Sequence, residues 1–96
     1  MSELPTVEWR PAAISDLLAI LDYISDASPT AAQSLKDDIA ARTDRLKANP
    51  LAYRSGRVAG TREMVVRPNY VVVYRVSKRV VTILRVLHAA QMWPSG

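Results

Sequence analysis

The feature of this sequence that most constrains its fold is a change of hydrophobic period near residue 50. Before that point, apolar residues recur at spacings of three and four, as they do on one face of an α-helix. After residue 60, β-branched and aromatic residues fill short runs that are separated by tight turns. This order predicts two helices followed by a hairpin-linked antiparallel sheet, which is an α+β arrangement.

The first half of the chain predicts one short strand and two helices. Residues 6–10 alternate and predict a strand, and residues 11–26 predict an amphipathic helix that starts at Pro11. Ser28 before Pro29 is a typical helix start, so a second helix is expected from about residue 29 to residue 48, where Asn49 and Pro50 end it. The expected core-facing residues are Ile14, Leu17, Leu18, Leu21 and Ile24 on the first helix, and Ala32, Leu35, Ile39 and Leu46 on the second, where Ala31 and Ala40 widen the stripe.

The second half predicts a basic loop over residues 51–60 and then three strands, over residues 61–67, 70–76 and 80–88. The resulting order is β-α-α-β-β-β, with an N-terminal helical hairpin packed on one face of a mostly antiparallel sheet. Because single domains usually contain about 100–150 residues, the whole chain, residues 1–96, is expected to be a single domain.

Charge is distributed unevenly along the chain. The net charge is +4, but residues 1–48 carry eight acids and five bases, whereas residues 49–96 carry one acid and eight bases. The halves therefore sum to −3 and +7. The basic half is mostly arginine, which suits bidentate contacts with phosphate or carboxylate groups. An excess of this size predicts an anionic partner, either nucleic acid or an acidic protein segment.

The strand pattern suggests where these arginines lie. If each strand keeps its arginine away from the helices, Arg67, Arg75 and Arg85 share one sheet face. The alternative, that Arg75 or Arg85 pairs with Glu63 or with helix acids, stays open. The central strands are apolar on both faces, and the two helices cover only one of them. The second face is therefore expected to be covered either by a partner or by the chain's own C-terminal tail.

The sequence offers few groups for catalysis. His88, the only histidine, ends the last predicted strand, where an imidazole suits acid–base work or a purely structural role. The tyrosines at 53, 70 and 74 suit either base stacking or half-buried sheet positions, and Trp93 suits either a core plug or an exposed anchor. With no cysteine and a single histidine, neither a metal nor a cofactor is expected.

Compartment signals are also few. No apolar run approaches the roughly 20 residues that a membrane helix needs, so no membrane association is expected. The first residues show no basic region followed by an apolar one, so no signal peptide is predicted. A cytoplasmic protein is therefore the expectation.

Three stretches of the sequence are informative together: SPTAA at 28–32, GRVAGTREMVVRPNYVVVYRV at 56–76, and VTILRVLHAAQMWP at 81–94. With the β-α-α-β-β-β order, they resemble the RelE/ParE superfamily of toxins from type II toxin–antitoxin modules. The resemblance implies a bacterial toxin of a plasmid stabilisation or addiction system, held in a hetero-oligomer by a cognate antitoxin whose acidic segment wraps the basic sheet face. One branch of the superfamily, similar to RelE and YoeB, cuts messenger RNA on the ribosome. The other, similar to ParE, poisons DNA gyrase.

Departures from the RelE-like pattern favour the ParE-like branch. Val71 stands where RelE-like strands usually carry an arginine after the aromatic residue, and Ala89, Ala90 and Gln91 stand where they carry basic or tyrosine residues. A ParE-like gyrase poison is therefore expected, with an RNA-cleaving enzyme and a non-toxic antitoxin-binding module as alternatives. For a nuclease, the candidate catalytic residues are His88, Arg62, Arg67 and Arg75. The residues expected to bind the target or the antitoxin are Arg54, Arg57, Arg62, Arg67, Tyr70, Arg75, Arg85, Gln91 and Trp93.

Overall fold

Two helices and five strands make up residues 5–88, the part of the chain that the computed structural model describes. In chain order they are β1 (Thr6–Trp9), α1 (Pro11–Ala27), α2 (Pro29–Arg45), β2 (Arg54–Ser55), β3 (Arg62–Arg67), β4 (Tyr70–Ser77) and β5 (Val80–His88). The predicted order is confirmed, with one addition. The loop expected over residues 51–60 contains the two-residue strand β2, because its backbone pairs with the start of β3.

Ser28 separates the two helices of the hairpin. Its backbone N–H donates to the carbonyl of Ile24 at 2.8 Å and ends α1, while its hydroxyl accepts from the N–H of Ala31 at 3.1 Å and starts α2. The second helix ends at Arg45, earlier than predicted, because the next N–H groups bond three residues back and tighten the chain into turns. Neither described helix has the length and apolar character that crossing a membrane requires.

The five strands form one sheet in the order β1-β5-β4-β3-β2. Only β1 is parallel to its neighbour, β5, and the other pairs are antiparallel, so the predicted mostly antiparallel sheet is confirmed. The register between β4 and β5 shifts after Val73, which leaves Leu84 as an extra residue in β5. This bulge lies beside Arg85, at the point where β1 no longer covers the edge of β5.

The main core lies between the helical hairpin and one face of the sheet. It contains Leu35 and Ile39 of α2 together with Met64, Val72 and Tyr74 of the central strands. On α1 the prediction was partly wrong: Leu17, Leu21 and Ile24 pack against this core, whereas Ile14 is 46% exposed and Leu18 is 61% exposed. The buried stripe is rotated towards Ala13, a smaller residue and the one residue of α1 that is fully buried.

A second, smaller apolar cluster lies on the face of the sheet away from the helices. Val71, Val73 and Leu87 are buried there, and Leu84 packs against them. The same face exposes Val65, which is paired with Val71 across β3 and β4. This is the predicted second apolar face. The C-terminal tail, one of the two expected covers of this face, lies outside the described residues.

Candidate functional site

A buried carboxylate, that of Glu63, organises the basic side chains at the β2–β3 edge of the sheet. Glu63 is paired with Val73 of β4, so it lies on the helix-free face, and its side chain is only 2% exposed. It accepts from the backbone N–H of Arg57 at 2.9 Å and from Arg54 Nη2 at 3.3 Å, and Arg57 Nε lies 3.4 Å from it. Burial of a carboxylate is tolerated when such donors surround it.

A third arginine lies on the same face. Arg75 follows Val73 by two residues on β4, which makes it a diagonal neighbour of Glu63, and such neighbours are about 7–8 Å apart, within reach of long side chains. Arg75 is exposed, and its guanidinium has no hydrogen-bond or ion-pair partner among residues 5–88. We call Arg54, Arg57 and Arg75, grouped around Glu63, the arginine patch. It combines three positive charges with one negative charge.

The prediction that Arg67, Arg75 and Arg85 share an open face was wrong for Arg67 and Arg85. Arg85 donates to both oxygens of Asp16 on α1, at 2.7 and 2.9 Å, and Arg67 Nε donates to Asp38 on α2 at 3.3 Å. The open alternative, pairing with helix acids, therefore holds for Arg85. Asp16 raises the pKa of Arg85 further above its ordinary value, so this guanidinium stays charged at every accessible pH.

Arg62 turns towards the polypeptide backbone. It is paired with Tyr74 on the helix side of the sheet, and its Nη1 donates to the carbonyl of Tyr53 at 2.8 Å and to that of Leu51 at 3.4 Å. The Tyr74 hydroxyl donates to the carbonyl of Pro50 at 2.8 Å, and burial raises the pKa of this phenol. Arg62 and Tyr74 thus fix the segment that leads into β2, and Tyr53 meets the Tyr74 ring edge-on at 6.4 Å.

His88 and Tyr70 lie at the opposite end of the sheet from Arg62. The register places Arg67, Tyr70 and His88 in one row across β3, β4 and β5, and the His88 ring meets the Tyr70 ring edge-on at 5.4 Å. Arg62 and Arg67 are five residues apart on one strand, which is about 16 Å. Of the four candidate nuclease residues, Arg67 and His88 therefore lie in one row with Tyr70 between them, and neither Arg62 nor Arg75 lies in that row.

Gln91 and Trp93 lie outside the described residues, so their predicted binding role stays a prediction. Over residues 5–88, no group of three or more histidine, cysteine, aspartate or glutamate side chains is placed to hold a metal ion. Sequence reasoning missed Asp16 and the central position of Glu63. For Glu63 a signal existed, because it is the one acid of residues 49–96 and follows an arginine directly.

Comparison with known sequences agrees with this architecture. The family model for the ParE toxin of type II toxin–antitoxin system, parDE, matches residues 7–93. "Toxin RelE2" of Caulobacter vibrioides is 41% identical over 88 residues, covering 90% of this chain and 97% of that protein. "Putative toxin Y4kP" of Sinorhizobium fredii is 38% identical over 89 residues, covering 92% of each chain.

Solved structures share the fold. A chain of the chromosomal ParDE toxin–antitoxin system from P. aeruginosa superposes with a TM-score of 0.78 at 28% identity, covering 91% of this chain and 98% of that one. A chain of the E. coli DinJ-YafQ toxin–antitoxin complex superposes with a TM-score of 0.68 over 95% of this chain and 99% of that one, at 14% identity, which shows the fold alone. With its family match, curated relatives and shared fold, this chain belongs to the ParE toxin family of the RelE/ParE superfamily and is a toxin of a type II toxin–antitoxin system.

Proposed function

We propose that this toxin stops growth by a ParE-like poisoning of DNA gyrase, through binding rather than by cutting RNA. The observation that carries the proposal is the dispersal of the candidate nuclease residues. Arg62 is bonded to backbone carbonyls at one end of the sheet, Arg67 is bonded to Asp38 near the other end, and Arg75 lies on the opposite face. General acid–base cleavage needs its proton donors, acceptors and positive charges within hydrogen-bond reach of one phosphate.

We further propose that the cognate antitoxin neutralises the toxin by placing an acidic segment on the arginine patch. The patch carries a net positive charge, and Arg75 has no partner of its own among the described residues. Several of the similar solved structures are toxin–antitoxin complexes, which supports a hetero-oligomer with an antitoxin here. Both gyrase and a co-expressed antitoxin would bind this toxin in the cytoplasm. Residues 1–96 of the toxin would act there as a single domain.

Controlled induction in cells separates the two target classes in one experiment. Gyrase poisoning is expected to give double-strand breaks and a DNA-damage response, with transcripts intact. Chromosome integrity and transcript ends are measured in parallel after induction, with co-induction of the antitoxin as the control. Unbroken chromosomes beside cleaved transcripts would remove the gyrase proposal. Normal growth without any antitoxin would instead favour a non-toxic antitoxin-binding module.

A ribosome-dependent RNA nuclease is the second candidate, and one specific observation favours it. Arg67, Tyr70 and His88 lie in one row at a sheet end, which brings a positive charge near two groups that can carry a proton. One of the similar curated proteins also carries the name RelE2. On this hypothesis, His88→Gln abolishes growth arrest while the fold is retained. Undiminished arrest by a folded His88→Gln variant would exclude an essential acid–base role for His88.

A further inference from the structure

The position of Glu63 is not explained by the attraction of an anionic partner alone. A surface that attracts an anionic partner is expected to avoid negative charge, yet a carboxylate lies at the centre of the arginine patch. This carboxylate is also desolvated, at 2% exposure, on a face that the helices do not cover. Burying a charge is unfavourable unless its contacts compensate, so those contacts indicate what Glu63 does.

The contacts fix a short segment and two long side chains together. The backbone N–H of Arg57 and the guanidinium groups of Arg54 and Arg57 all converge on the two carboxylate oxygens of Glu63. Arg54 and Glu63 are also register partners between β2 and β3, so the pairing is fixed by the backbone as well. Glu63 thereby restricts two side chains that would otherwise sample many rotamers.

The restricted arginines still have donors to offer. A guanidinium has five N–H donors, and the structure gives Glu63 a contact with one nitrogen of each arginine side chain. The Arg54 and Arg57 side chains are 63% and 48% exposed, and their other donors have no partner among residues 5–88. The remaining N–H donors of both guanidinium groups therefore face solvent, while one nitrogen of each group contacts Glu63.

We infer that Glu63 is a positioning residue that converts Arg54 and Arg57 into a preorganised receptor for the carboxylates of an acidic protein segment. The inference rests on the proposed docking of an antitoxin at the arginine patch. It goes further by assigning a function to Glu63 and a chemical class to the ligand. Preorganisation raises affinity because the partner no longer has to order the two side chains on binding.

The surroundings of the patch favour a protein segment over a nucleic-acid backbone. Val65, two residues along β3 from Glu63 and on the same face, is 45% exposed, and the buried valines of the second cluster lie beside it. A segment that alternates acidic and apolar side chains matches both the arginines and Val65. A phosphodiester backbone matches the arginines alone.

The substitution Glu63→Gln separates positioning from simple attraction, because the two predict opposite signs. Removing a negative charge from the patch strengthens binding of an anionic partner if only net charge matters. If Glu63 positions the arginines, Glu63→Gln weakens binding of the full-length toxin to its cognate antitoxin by about tenfold, and Glu63→Asp restores part of the loss. Asp22→Asn on exposed α1 is the control, since it makes the same change in net charge.

A variant with two substitutions, Arg54→Lys and Arg57→Lys, covers the case in which Glu63→Gln fails to fold. Arg54→Lys with Arg57→Lys keeps both charges on exposed side chains but removes the planar forks. Affinity is measured by calorimetry at two salt concentrations, with a short duplex DNA as the competing ligand. Weaker antitoxin binding by this double variant supports the inference. Unchanged or tighter binding, or a change seen only with DNA, overturns it.

The double variant Arg54→Ala with Arg57→Ala tells the two proposals apart. If it leaves antitoxin affinity unchanged, the antitoxin does not dock at the arginine patch, and the proposed docking fails. If it weakens binding while folded Glu63→Gln does not, the docking stands and the positioning function of Glu63 is wrong.

Discussion

Single carboxylates decide which arginines of this toxin are available to a partner. Asp16 illustrates the point at the scale of one residue. Its two oxygens accept from Arg85, and one of them also accepts from the backbone N–H of Val86 at 3.0 Å. This occurs where β1 no longer pairs with β5, so Asp16 satisfies backbone at an exposed sheet edge. Because Arg85 is bound to Asp16, it is not available on the open sheet face on which the sequence pattern predicted it.

Replacing Asp16 by alanine is expected to lower the free energy of unfolding by about 2–3 kcal/mol, because it leaves a part-buried guanidinium and an N–H group without their acceptor. Urea denaturation of the two proteins measures the difference. Asp22→Ala, on the exposed side of the same helix, is expected to change stability by less than about 0.5 kcal/mol. Equal effects of the two substitutions would contradict the assignment.

At the scale of elements, a long-range ion pair joins the second helix to the third strand. Asp38 of α2 accepts from Arg42 one turn along the helix at 3.0 Å, and from Arg67 of β3 at 3.3 Å. Arg67 also donates to the hydroxyl of Ser34 at 3.3 Å. The hydrogen bond from Arg42, and then that from Arg67, holds the pKa of Asp38 below its ordinary value of 3.8.

The lowered pKa of Asp38 predicts an acid-dependent loss of stability. Its contribution is fully present above the pKa of the unfolded chain, near 3.8, and is lost as the pH falls through the lower pKa of the folded state. Wild-type protein is therefore expected to lose more stability than Asp38→Asn as the pH falls below about 4. Urea midpoints measured over this range test it, with Asp37→Asn as the control. Parallel curves for wild type and Asp38→Asn would show that the ion pair is without effect.

The local sequence pattern correctly predicted the helices and the main strands, but it did not always predict which face of a helix is buried. On α2 the largest apolar residues, Leu35 and Ile39, are buried as predicted, whereas Ala31 and Ala40, which were expected to widen the stripe, are exposed. On α1, apolar residues occupy more than one face, so periodicity alone did not distinguish Leu17, which contacts the core, from Leu18, which is exposed. The contact between α1 and β5 decided which face was buried.

At the scale of the whole molecule, the acidic helical half neutralises part of the basic sheet half. Asp16 of α1 and Asp38 of α2 each bind a strand arginine, so part of the positive charge of the sheet half is neutralised within the molecule. What is left on the helix-free face is the arginine patch. Affinity for an acidic partner is therefore expected to depend on few arginines rather than on total charge.

The salt dependence of antitoxin binding is expected to come mainly from the arginine patch. Raising the ionic strength from about 0.05 to 0.5 M is expected to weaken antitoxin binding mainly by slowing association, because the screening length falls from above about 10 Å to well below it. Stopped-flow association rates measure it. Arg75→Gln is expected to reduce the salt dependence, whereas Arg45→Gln at the exposed end of α2 is the control. An equal reduction by both variants would point to net charge instead of the patch.

The α+β order of elements, the helical joint at Ser28 and the basic character of the second half all follow from the linear sequence, because period, capping and composition are properties of neighbouring residues. Which arginines remain open depends instead on how the chain folds. Arg67 and Arg85 are neutralised by acids 29 and 69 residues away along the chain, whereas Arg54 and Arg57 converge on Glu63 in the adjacent strand. Ion pairs at such separations depend on how helices and strands approach one another, and no local pattern records that approach.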